Sequence, residues 1–269
     1  MGGRRKYLRY TDLHLNLAWP FSVRWLVKHI NDEDPAGVFI TGDITSGPSL
    51  EFHLTQLARG VKCPVYFVLG NHDYHKRSIA GTHDDVRRIC SQYPNMKWMT
   101  ESGIISLNEE TALIGAEGWY DAEIGNPKWL RFTTDWLLMP DLFFLESMEE
   151  RVEYFRSMAD RAARLVEDRL EKAFETHKSA YVLTHVPPWS EATENRGSLF
   201  ESLWLSYNTN TRLGFSIENV MRTRKNRYVT VLAGHTHVPV NVHVRRNIEC
   251  RVGRPNQLGR FRSVEKIYI

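Results

Sequence analysis

Short runs of β-branched, aromatic and aliphatic residues recur along the chain at 7–11, 37–41, 65–69, 111–115, 180–184 and 229–233, and nearly all of them close on a polar cluster. Apolar runs this short, bounded by Gly or Asp, predict buried strands. Helices are predicted between the first three, over 22–31 with Ser22 as N-cap and over 49–59. The resulting β, α, β, α, β order implies a mainly parallel sheet. The clearest helix is predicted over 147–177, because Val152, Phe155, Ala159, Ala162, Val166, Leu170 and Ala173 recur every three to four positions with charges between them. Such a stripe packs on a sheet. Beyond Thr230 the pattern becomes strand, turn, strand, over 238–244, 248–252 and 264–269. Residues 117–144 break the rhythm, being rich in Trp, Asp, Gly and Pro without a steady period. They read as an ordered insertion held by its own aromatics, which either borders a functional site or caps a sheet edge. With no repeat or linker in view, a single domain over 1–269 is expected.

Composition narrows the class. The chain is 42% hydrophobic and 25% charged, as in a globular protein and unlike a disordered or collagen-like one. Its longest apolar stretches fall far short of the roughly 18 residues of a membrane helix, so no membrane association is expected. The basic start runs into Asp12, His14 and Asn16 where a secretory leader would be apolar, and Lys6 stands where a myristoylation start would have Ser or Thr. Cys63, Cys90 and Cys250 are odd in number, widely spaced and without a CxxC pair, which argues against a disulfide framework or a thiolate zinc site. A reducing, cytoplasmic location is the expectation. The net charge of +3 conceals an asymmetry, since residues 211–269 carry twelve Arg or Lys against three Glu, a balance of +9. Such a patch attracts phosphate-rich partners, nucleic acid among them, although solvated strand and loop faces are the commoner cause.

The strand ends carry the chemistry. Asp12 and His14 follow the first predicted strand, Gly42 and Asp43 the second, Gly70, Asn71, His72 and Asp73 the third, His185 the strand over 180–184, and Gly234, His235 and His237 the strand over 229–233. Sites in open α/β sheets gather at such ends. One histidine after a strand is usually a loop residue, but five strand ends in succession with metal-binding side chains form a pattern.

In the segments TDLHL, TGDIT, LGNHD, THVPP and AGHTH the chain resembles the calcineurin-like metallophosphoesterase superfamily, whose elements DxH, GD, GNHD, a lone His and GHxH stand in that order between Asp12 and His237. The resemblance implies a four-layer α/β/β/α sandwich and phosphoester hydrolysis at two metal ions. It implies that Asp12, His14, Asp43 and His237 hold one ion and that Asp43, Asn71, His185 and His235 hold the other. The donor chemistry suits this, since a carboxylate can bind a cation through each oxygen, while imidazole and amide oxygen add no charge. Two divalent ions against two aspartates leave about +2, which favours a phosphate. The mixed nitrogen and oxygen set suits Mn, Fe, Zn, Co or Ni better than Mg or Ca. The implied nucleophile is hydroxide generated between the ions, with His72 resembling the family's general acid. Asp73 would orient His72 or, in the alternative, bond the loop backbone. His75 has no counterpart in the motif and reads as a surface residue.

Within the superfamily, GDITSG and GNHD differ from the GDxxDRG and GNHE of Ser/Thr phosphoprotein phosphatases, and His72 stands where lipid A pathway hydrolases have Arg. The remaining pattern looks most like the phosphodiesterase-like branch, so a phosphodiester, of a nucleotide or similar group, is favoured over a phosphomonoester. A binding scaffold without turnover is disfavoured because every ligand position is present. The chain departs from the pattern in having Thr11 before the first Asp and no Asp at the third position after Asp43. Trp119, Tyr120, Trp129, Trp136, Trp189 and Trp204 offer rings either for stacking on a base or for packing. Arg196 and Arg212 offer either a phosphate contact or a surface ion pair.

Overall fold

The computed structural model describes residues 4–18, 22–193, 199–256 and 264–269. In chain order its elements are β1 (Lys6–Tyr10), α1 (Ser22–Glu33), β2 (Gly37–Thr41), α2 (Gly47–Gly60), β3 (Val65–Val68), α3 (Ile79–Gln92), β4 (Met96–Trp98), β5 (Ile105–Ser106) and β6 (Thr111–Gly115). They continue with α4 (Thr134–Leu138), α5 (Met148–Thr176), β7 (Ser179–Leu183), α6 (Leu199–Asn208), α7 (Thr211–Arg222), β8 (Tyr228–Ala233), β9 (Val240–Arg245), β10 (Ile248–Val252) and β11 (Glu265–Tyr268). One sheet has the order β11-β1-β2-β3-β4 and the other β5-β6-β7-β8-β10-β9. Within each, the central strands pair in parallel, and the antiparallel pairings lie toward the edges, at β11, β5 and β9.

Period-two alternation explains why two sheets form four layers. In the first sheet Leu8, Tyr10, Val38, Ile40, Val65 and Phe67 meet Leu26, Ile30, Leu54, Val86 and Ile89 of α1, α2 and α3. The alternate residues Tyr7, Phe39 and Val68 join Leu113, Leu183 and Leu232 of the second sheet in a cluster between the sheets. On the far side, Ala112, Ile114, Ala180, Val182, Val229 and Val231 meet Val166 and Leu170 of α5 and Leu213 and Ile217 of α7. Strands buried on both faces read as continuous apolar runs, which is why the predicted strands were short and unbroken. The layers are those of the α/β/β/α sandwich.

The seven stripe residues of α5 are all buried, and Ser147 is its N-cap. The Ser147 hydroxyl accepts from the Glu150 N–H at 3.1 Å while the Glu150 carboxylate accepts from the Ser147 N–H at 3.0 Å, a reciprocal capping box. At α1 the expectation shifts slightly, because Ser22 is the first helical residue and is buried, and the helix continues to Glu33. Helix α2 starts at Gly47 with Pro48 in its first turn, where the missing N–H costs nothing.

The insertion contains α4 between two tight helical turns, Pro127–Phe132 and Pro140–Leu142. Its first aromatics pack on α5, with the Tyr120 ring 4.4 Å and the Trp119 ring 6.0 Å from that of Phe155. Both are buried, and so is Trp189, whose Nε1 donates to Glu218 at 2.9 Å. Of the stacking and packing readings, these three rings take packing. Trp119→Ala should therefore lower unfolding stability by about 3–5 kcal/mol, the range for deleting a buried aromatic ring. A urea midpoint unchanged from wild type would contradict that role.

Candidate metal centre

All five motif segments arrive at one edge because they follow the carboxyl ends of parallel strands. Asp12 and His14 leave β1, Asp43 leaves β2, Asn71 and His72 leave β3, His185 leaves β7, and His235 and His237 leave β8. Five of these residues have left-handed backbone: Asp12, His14, Asp43, His235 and His237, with φ between +40° and +71°. Side chains seldom adopt this region, and it gathers where function requires it. The motif glycines are needed for clearance. A Cβ on Gly70 would sit 2.2 Å from Asp43 Oδ1, and one on Gly234 would sit 2.6 Å from Asp12 Oδ2.

The donor atoms fall into two groups that meet at Asp43. In the first, Asp12, His14, Asp43 and His237 offer ligand atoms all within 4.8 Å of one another. His237 Nε2 lies 3.2 Å from Asp12 Oδ1, and His14 Nε2 lies 3.6 Å from Asp43 Oδ2. In the second, His185 Nε2 lies 3.3 Å from Asp43 Oδ1 and 3.0 Å from Asn71 Oδ1, and His235 Nδ1 lies 3.2 Å from the same amide oxygen. The two oxygens of Asp43 thus face different groups.

Partners behind these residues fix which nitrogen points inward. His185 Nδ1 is 2.9 Å from the Thr41 carbonyl and His235 Nε2 is 3.0 Å from the Tyr207 carbonyl, so each carries its hydrogen there. That leaves His185 Nε2 and His235 Nδ1 as the nitrogens facing Asn71 Oδ1, which, like the lone pair of the neutral His235 Nδ1, can only accept. Acceptors converging at this distance are favourable only around a positive centre, so the donor set fits a metal ion. The field has the same sign. Burial opposes charge on His185, but Asp43 and Asp12 outweigh it and push the imidazole up to about 10, so its Nε2 favours a cation, proton or metal, between itself, Asp43 Oδ1 and Asn71 Oδ1. Burial and the neighbouring His185 push His235 down to about 4. The Asp43 carboxyl is resisted by burial yet held well below the usual carboxylate range by His185, His72 and His14. Thr11, which departs from the motif, donates its hydroxyl to Asp12 Oδ2 at 2.6 Å and so orients that carboxylate.

His72 sits at the mouth, its side chain one-third exposed and its Nε2 3.9 Å from Asp43 Oδ2. Its backbone N–H donates to Asp43 Oδ1 at 3.0 Å. Asp73 accepts from the backbone N–H groups of Ile44, Thr45 and Gly70 at 2.9 to 3.2 Å, tying the loops after β2 and β3 together. This is the geometry of the loop-bonding alternative. Burial and the charge of Asp43 push the Asp73 carboxyl up to about 7. His75 is a correction: it is buried, not superficial, and its Nε2 is 2.6 Å from Asp135 Oδ1. Asp135 and Tyr207 also reach the centre and lie outside every motif. The amide nitrogen of Asn71 donates to Asp135 at 2.7 Å and to the Tyr207 hydroxyl at 3.0 Å.

Of the two arginines considered for phosphate, Arg196 lies outside the described residues, and Arg212 is bound to Glu123 and, at 2.7 Å, to Asp160. Part of the basic C-terminal charge is paired likewise, in Arg245 with Glu218, Arg251 with Glu249 and Glu265, and Lys266 with Glu33. Among the described residues, no helix is long and apolar enough to cross a membrane.

A two-sheet sandwich with carboxylates and imidazoles gathered at its strand ends is a scaffold suited to metal-dependent hydrolysis. The chain belongs to the calcineurin-like phosphoesterase family, whose model matches residues 7–239. It is similar in fold to the phosphopantetheinyl hydrolase of Mycobacterium tuberculosis, with a TM-score of 0.69 at 13% identity over 99% of this chain and 97% of that one. It is also similar to a dimetal phosphatase from Danio rerio, with a TM-score of 0.61 at 13% identity over 100% of this chain and 93% of that one. No curated protein sequence matches it.

Proposed function

We propose that this protein hydrolyses phosphodiesters at a dinuclear centre, with Asp43 shared between two divalent transition-metal ions. The observation that carries the reading is the division of Asp43, with Oδ2 toward His14 and Oδ1 toward His185. Asp12, His14 and His237 complete one ligand set, and Asn71, His185 and His235 complete the other. When bound, such a pair supplies an activated water and polarises the phosphoryl oxygens. The residues supply the rest. Asp12 is fixed by the Thr11 hydroxyl and by the backbone N–H of His235, and His185 by the Thr41 carbonyl. His72, partly exposed beside Asp43, donates the proton that the departing alkoxide requires.

The diester preference rests on the likeness of GDITSG and GNHD to the phosphodiesterase-like branch. The deciding measurement compares Mn-loaded protein on bis-p-nitrophenyl phosphate, p-nitrophenyl phosphate, cyclic nucleotides and short DNA or RNA. A higher kcat/KM on bis-p-nitrophenyl phosphate than on the monoester is expected. The reverse order would replace the diester reading with a phosphatase one, and inactivity on every ester would favour a scaffold.

A further inference from the structure

The insertion reaches the metal centre through one buried carboxylate, Asp135. Its Oδ1 accepts from Asn71 Nδ2 at 2.7 Å and lies 2.6 Å from His75 Nε2, while its Oδ2 accepts from the Tyr120 hydroxyl at 3.1 Å. The loop after β3 is held by the same segment at two further points. The Lys76 N–H donates to the Leu138 carbonyl at 2.7 Å, and the Ile79 N–H donates to Asp141 at 3.0 Å.

A side-chain amide is ambiguous in a way that an imidazole fixed by a carbonyl is not. Rotated by half a turn, it presents two N–H donors where its oxygen had been, and no cation is held by donors. The orientation with Oδ1 inward persists only if the NH2 group finds acceptors outside. Asn71 has two, and Asp135 is the nearer and the one that bears charge. Charge-assisted hydrogen bonds are roughly twice as strong as neutral ones, so Asp135 dominates this choice.

We propose that Asp135 is a positioning residue which holds the Asn71 amide with its oxygen toward His185 and His235, so that the insertion governs occupancy of the second ion. This rests on the dinuclear reading above. It makes the insertion part of the metal centre and gives buried His75 and Tyr120 a purpose, since each bonds the carboxylate of Asp135.

The test uses the whole protein, with zinc content measured after equilibration at fixed free Zn²⁺ and the visible spectrum recorded after Co²⁺ loading. Wild type should hold two ions per chain. Asp135→Ala should weaken the second by ~10- to 100-fold, the usual cost of losing a partner behind a ligand, and alter the Co²⁺ bands. Asp135→Asn should fall between, because its amide oxygen can still accept from Asn71. Tyr120→Phe removes a bond to Asp135 without touching Asn71 and should keep both ions. Asp135→Ala with wild-type affinity and spectrum overturns the proposal while leaving the dinuclear reading intact. A wild-type chain that never takes a second ion overturns both. Should Asp135→Ala fail to fold by circular dichroism, Asp135→Asn decides alone, and equality with Tyr120→Phe counts against the proposal.

Discussion

Asp43→Asn should cost the protein both metal ions and its hydrolytic activity in a single step, whereas His237→Ala should weaken one ion and spare the other. Each oxygen of Asp43 faces a separate donor group, and amidation replaces one of them with a donor while removing the negative charge common to both. His185 and His72 also lose the carboxylate on which they converge. Activity on any phosphoester should fall by on the order of 10³ or more, since in the proposed dinuclear centre the ions would activate the water and polarise the substrate together. Elemental analysis alongside steady-state kinetics checks this. An Asp43→Asn protein carrying two ions per chain after Mn or Zn loading would remove Asp43 from its shared position.

The second large effect belongs to His72. Its only hydrogen bond to Asp43 runs from the backbone, so His72→Ala leaves that contact in place and deletes the ring alone. Metal content should match wild type. On esters with poor leaving groups the rate should drop by on the order of 10² to 10⁴, the contribution of a positioned proton donor. Activated p-nitrophenyl esters depart with little protonation and should suffer less. An equal loss on both kinds of ester, or loss of an ion, would give His72 a different role.

The fold was legible wherever strands were buried on both faces and wherever a helix carried a regular stripe. Strands β1, β2, β3, β6, β7, β8 and β10 and helix α5 follow the sequence pattern closely. Strands β4 and β5 are too short to show a period, and α3 carries too narrow an apolar stripe to stand out, with only Thr82, Val86 and Ile89 buried. The motif residues were legible because each follows a strand directly, and chain order alone brings them to one edge. Asp135 and Tyr207 were not legible, since they reach Asn71 from elements 64 and 136 positions away with no local signature. His75 misled for the same reason: its partner Asp135 is 60 positions distant, and four residues after Asn71 it resembled any polar loop residue.

The five left-handed residues at the sheet edge store backbone strain where the proposed chemistry would take place. A non-glycine residue held in that conformation costs on the order of 1–3 kcal/mol, and glycine would relieve it. His237, whose side chain is partly exposed and whose φ is +59°, is the plainest instance. At the more exposed His237 a screen that rewarded heat resistance alone could accept glycine, whereas at buried Asp12 and Asp43 the loss of their hydrogen-bond partners outweighs the relief. Engineering this fold for endurance therefore has to begin by exempting the sheet edge that gives it a purpose, and to draw its gains from the helices and strands behind it.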